Sequence, residues 1–223
     1  MTKIAVSVER GTTRVFACAI DWPSWCRSGR DEDAALDALF ASAKRYERVA
    51  GKLGFVAPKV RSDLDVTERH TGNATTDFGA PGIPAKSDLA PVSEKELARL
   101  AALLDAGWRA FDASVTAARG KTLAKGPRGG GRSLDKIVDH VRDAEAGYLS
   151  GLGWPFKPDP KQSRGQRLAA TRRAVLEGMT ASAHGEIAAK GPRGGVRWKP
   201  RFFARRLGWH TIDHAWEIED RSA

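Results

Sequence analysis

Five histidines occur in the 223-residue chain, and two of them are spaced for joint chemistry. His210 and His214 lie four apart in a stretch of helical periodicity, so they sit one turn apart on the same side as Phe203, Leu207 and Ile218. That stripe predicts that both imidazoles point into a core. Imidazoles in an apolar interior lose hydration unless hydrogen bonds or a shared cation compensate, and an i,i+4 pair can present two ring nitrogens to one metal ion. Such a pair is common by chance, so a metal site needs a third ligand. His140, in Leu134-Asp135-Lys136-Ile137-Val138-Asp139-His140-Val141, falls on the shoulder of another apolar stripe. Periodicity leaves it open between a ligand and a hydrogen-bonded boundary residue. Glu217, three residues beyond His214, is the candidate catalytic residue, as proton acceptor or fourth ligand; the alternative is a solvated or N–H-pairing acid near the chain end. His70 and His184 are read as structural.

A second feature is a repeat. Lys125-Gly126-Pro127-Arg128-Gly129-Gly130 recurs as Lys190-Gly191-Pro192-Arg193-Gly194-Gly195, each followed two residues later by Arg132 or Arg197. Glycine lets backbone amides approach an anion and arginine supplies a bidentate donor, so Arg128, Arg132, Arg193 and Arg197 are candidate anion- or substrate-binding residues. The plainer reading is a pair of solvated connectors. Neither copy has the spacing of a nucleotide-binding P-loop.

These residues must be positioned by helices. From Ser93 a capping box opens a stripe through Leu97, Leu100, Leu104, Trp108 and Phe111, ending near Gly120. Further helices are predicted from Ser133 through Tyr148, from Ser163 to about His184, and from Pro200 to Asp220. Four amphipathic helices are buried most simply as a bundle. The Pro-broken connection over 151–160 leaves room for a crossover between the second and third helices, which would set the two basic loops at opposite ends.

The first part of the chain reads differently. Residues 3–21 alternate with period two around Gly11-Thr12, which predicts a hairpin. Asp31, Glu32 and Asp33 then open a helical stripe to about Val49, Val60–Arg69 is a candidate third strand, and Thr71–Leu89 reads as a long loop. The expected class is α+β: a β-β-α unit over residues 1–70, a loop or linker over 71–92, and a four-helix bundle over 93–223.

Composition bounds the partners. With 41% hydrophobic and 29% charged residues the chain is globular. It lacks both a membrane-spanning run and a signal-peptide core, so a cytoplasmic, membrane-free protein is expected. Cys18 and Cys26 are expected as free thiols. The net charge of +10 points to an acidic partner, either a small anion or, as second choice, nucleic acid. Trp22 and Trp25 are expected to form a seam against the bundle.

Two resemblances sharpen this. Leu134–Leu149, with His140, Ala144-Glu145 and Tyr148, and the terminal Trp209-His210-Thr211-Ile212-Asp213-His214 resemble the signature helices of the DinB/YfiT-like superfamily. This implies a bundle with a long second connection and one divalent metal on His140, His210 and His214. Three neutral imidazoles favour zinc, with nickel or ferrous iron next, over magnesium or calcium. A metal-dependent hydrolase, or a transferase using a low-molecular-weight thiol, is therefore expected, acting on a small anionic molecule; the alternative is a basic nucleic-acid-binding or protein-interaction module with a structural metal. Asp21–Gly29 and Glu32–Leu39 are similar to HicB-like folds, which implies a small-molecule or protein-interaction module, for instance in a homodimer.

Overall fold

The computed structural model describes residues 3–125 and 131–222, which fold as two compact units, Met1–Ala90 and Pro91–Ala223. The class is α+β. No described helix is long and apolar enough to cross a membrane.

The first unit is a four-stranded sheet of order β3-β2-β1-β4, with β1 Ile4–Arg10, β2 Val15–Ala19, β3 Cys26–Gly29 and β4 Leu64–Thr71. The predicted hairpin is β1–β2, in register Val6 opposite Ala19. β4 lies parallel to β1, which requires a long crossover. That crossover carries helices α1 (Glu32–Ala41) and α2 (Ala43–Ala50), where one helix was expected. The break is local: Ser42 donates its hydroxyl to Leu39 O and accepts from Trp25 Nε1 at 2.9 Å, competing with helix continuation.

Several expectations need correcting. Cys18 and Cys26 form a disulfide, because β3, hidden in a turn-rich stretch, sets them directly opposite on neighbouring antiparallel strands. Trp25 is no seam: it is fully buried in its own unit, stacked on Tyr46 with centroids 5.7 Å apart and edge-on to Phe55. Of the loop or linker expected after β4, residues 72–90 form a loop that belongs to the first unit. They contain the short helix α3 (Ala74–Phe78) and are fastened to the sheet by buried Glu9, whose carboxylate accepts from Gly82 N, Ile83 N and the Thr76 hydroxyl.

The second unit consists of α4 (Glu94–Ala117), α5 (Leu134–Leu152), α6 (Arg164–Ala183) and α7 (Pro200–Ser222), close to the predicted bounds. The predicted stripes meet in one core around Leu100, Leu104, Trp108, Leu149, Val175 and Phe203. Cross-helix contacts give the directions. Glu94 meets His184 and Asp112 meets Arg172, so α4 and α6 are antiparallel. Glu96 meets Arg201 and Ser114 meets Glu219, so α4 and α7 are parallel. Arg164 holds Asp135 and Asp139, so α5 and α6 are parallel, while Trp198 N bonds Gly151 O where α5 ends and α7 begins. The order is up-down-down-up, and the segment between α5 and α6 must cross back along the bundle. The α4–α5 and α6–α7 connections therefore lie at opposite ends.

Candidate metal centre

α7 is buried on nearly every side: Phe203, Leu207, Ile212 and Ile218 are each 2% exposed or less. Polar side chains on such a helix must find partners within the bundle. His210 and His214, 8% and 9% exposed, find His140 of α5. One nitrogen from each of the three rings lies within 4.8 Å of the others, and His210 Nε2 is 3.2 Å from His140 Nε2. A tetrahedral metal about 2.1 Å from each nitrogen holds two of them about 3.4 Å apart, so the three lie close enough to hold one cation. Among the described residues this is the one group of three potential ligands that converges in this way.

The protonation states suit a metal. Burial, then the charge of the neighbouring imidazoles and of Arg206 and Arg132, holds His210 well below the ordinary 6.5. Burial, His214 and Arg132 likewise lower His140, against the opposing pull of Glu217 and Asp143. Both rings are neutral at pH 7, the form a metal requires. His140, on the shoulder of its stripe, is half-buried and gives the cluster its solvent-facing side.

Glu217 has a different place from that of a fourth ligand. Its Oε2 accepts from His214 Nδ1 at 2.7 Å and its Oε1 from Arg221 Nη1 at 2.6 Å. The His214 hydrogen bond, with help from Arg221, keeps the carboxyl below the usual glutamate range. Glu217 thus fixes the tautomer of His214, leaving Nε2 for the cluster. His70 pairs with Glu68 and His184 with Glu94, both outside the centre.

Of the four candidate arginines, the three that are described, Arg132, Arg193 and Arg197, are not brought together. Arg128 lies outside the described residues. Arg132 is exposed, on the same end of the bundle as the histidines, and its charge reaches both His140 and His210. Arg193 occupies a tight turn closed by Gly194 N to Gly191 O, at the far end of α7. Arg197 donates to Ala188 O and lies across Gly153. Both precede Pro200, and His210 lies about 15 Å further along the helix axis.

Comparison with known proteins gives no match: no family model fits the chain, and no curated protein or solved structure aligns with it.

Two residues escaped sequence reasoning. Arg221 follows Glu217 by four residues and His214 by seven, which places it on the same helix face, a signal that was there to be used. Glu145 is fully buried, accepts from Trp108 Nε1 at 2.8 Å, and is pushed up to about 7 by desolvation.

Proposed function

We propose that the second unit is a metal-dependent enzyme of DinB/YfiT-like type, a hydrolase or thiol-dependent transferase acting on a small anionic compound. The convergence of three imidazole nitrogens within 4.8 Å, two of them on rings held neutral, carries this reading. Zinc suits the donor set best, then nickel or iron. Such an ion supplies Lewis acidity, polarising a carbonyl or lowering the pKa of a coordinated water or thiol. The chain's own contributions are distinct. His140 leaves the centre open on one side, Glu217 holds His214 in the required tautomer, and exposed Arg132 offers a charge to draw and orient an anionic group.

The binding-module alternative has one supporting fact: residues 91–223 hold 24 lysines and arginines against 15 acids, so +9 of the +10 charge is theirs. Against it, many of these cations are engaged within the bundle. Arg142 pairs with Asp139 and Asp143, Arg164 with Asp135 and Asp139, Arg172 with Asp112 and Arg201 with Glu96, while Arg205 is 2% exposed. A face that tracks phosphates needs free cations.

The test is a screen of the zinc-loaded protein against small carboxylated electrophiles, with and without a low-molecular-weight thiol. Turnover should be abolished by chelation, and Arg132→Ala should raise KM about tenfold to a hundredfold, the worth of a charge-assisted hydrogen bond, while metal content stays unchanged. Absence of turnover across the screen, or turnover indifferent to chelation, would contradict the proposal.

A further inference from the structure

One guanidinium ties the metal centre to a distant connection. Arg221, 8% exposed in the last turn of α7, uses all three of its nitrogens. Nη1 donates to Glu217 Oε1 at 2.6 Å, Nε to Ala124 O at 2.8 Å, and Nη2 to Arg132 O at 2.9 Å. The Arg221 carbonyl in turn accepts from Ala124 N at 2.8 Å. Ala124 and Arg132 belong to the α4–α5 connection, and Glu217 is the residue that holds His214. The chain of contacts therefore runs from backbone carbonyls of the connection, through Arg221 and Glu217, to one of the three imidazoles.

Gly131 supplies an independent sign that this contact is built. A Cβ at that position would lie 2.4 Å from Arg221 Nη2 and 2.9 Å from its Cζ. A methyl group there would displace the guanidinium from its place against the Arg132 carbonyl. The φ of Gly131 is not in the left-handed region, so the requirement is for space rather than for backbone freedom.

Resting on the metal-centre reading above, we propose that Arg221 is a positioning residue for His214 and that its bonds to the backbone of Ala124 and Arg132 set the metal affinity of the centre. With Arg221 in place, the Glu217 carboxylate is aimed at Nδ1 and the Nε2 lone pair is aimed at the cluster. Without those backbone bonds to hold Arg221, Glu217 loses its second anchor and His214 its fixed ring orientation. Coupling of this kind is reciprocal: whatever the connection does to metal affinity, metal must do to the connection.

The experiment uses the full chain, zinc titration with a competing chelator, and the visible spectrum of the cobalt-loaded protein. Three variants are compared with wild type: Gly131→Ala, which touches neither ligand nor Glu217; Arg221→Met, which removes the donors; and Arg221→Lys, which keeps the charge but has one nitrogen in place of the three-nitrogen fork. Gly131→Ala and Arg221→Met should weaken zinc binding about tenfold to a hundredfold, the usual cost of losing an outer-sphere partner, with Arg221→Lys between them and wild type. Cobalt bands should shift in the same order. Thermal melting of the metal-free proteins reports folding separately. Exchange of the Ala124 amide, measured with and without zinc, supplies the reciprocal arm: zinc should slow it in wild type and have a smaller effect in Gly131→Ala. Wild-type zinc affinity and cobalt spectrum retained in well-folded Gly131→Ala and Arg221→Met would overturn the inference while leaving the centre intact. A wild type that binds neither metal would instead overturn the reading on which it rests.

Discussion

At the scale of single residues, the centre depends on charges kept small in a buried space. His210 illustrates this: its Nδ1 is buried without a hydrogen-bond partner, so a charge on the ring would find no compensating bond at that atom. Glu145 poses the opposite problem. It sits between Trp108 and Thr211 with its Oε2 unpartnered, and desolvation raises it from 4.5 to about 7. A folded value above the unfolded one favours the protonated form in the fold. Stability from this group is fully present below about pH 4.5 and is lost as pH rises through about 7, a difference on the order of 3 kcal/mol. Glu145→Gln should remove that dependence: denaturant midpoints of variant and wild type should diverge in the variant's favour between pH 5 and about pH 8. A constant gap across that range would mean that Glu145 is ionised in the fold. The sequence made the two α7 histidines legible by spacing alone, whereas His140 needed a resemblance and Arg221 was overlooked near the chain end. The disulfide was illegible because its two cysteines become neighbours only through β3, four residues without a clear alternation.

At the scale of elements, the four long helices were readable because their caps and stripes agree. Ser93 and Ser163 each accept from the third residue of their helix, as capping residues do, and Leu97, Leu100 and Leu104 are all buried. The first unit was harder. β3 and the short α3 are below the length at which periodicity can be recognised, and the split between α1 and α2 depends on a Trp25 contact distant in sequence. Helix ends provide a contrast that tests the packing. Gly153 closes α5 at φ 94° with Arg197 Cδ 2.5 Å from where a Cβ would stand, so Gly153→Ala should cost about 1–2 kcal/mol or more. Gly147, inside α5, has nothing within 4 Å, and Gly147→Ala should gain up to about 1 kcal/mol. Chemical denaturation of the two variants should move the midpoint in opposite directions; movement in the same direction would mean that the end of α5 is placed wrongly.

At the scale of the whole molecule, two units divide the labour by charge and architecture. The disulfide-linked sheet unit is nearly neutral, with 13 basic and 12 acidic residues in 1–90, and its aromatic core of Trp25, Tyr46 and Phe55 is its own. The basic helical unit holds the histidines. Its up-down-down-up course sets Arg132 and the second Gly-Pro-Arg-Gly-Gly segment at opposite ends of the bundle, while the first segment, 126–130, lies outside the described residues. Net charge could not reveal this, because ion pairs such as Arg172 with Asp112 form only once the helices are assembled. The central claim is that the three imidazoles share one metal ion, and elemental analysis of untagged protein reconstituted with zinc tests it most directly. About one equivalent per chain, lost in each of His140→Ala, His210→Ala and His214→Ala while helical content is kept, is the result expected. Protein that takes up no metal after reconstitution, or that retains it in the His210→Ala variant, would contradict the account.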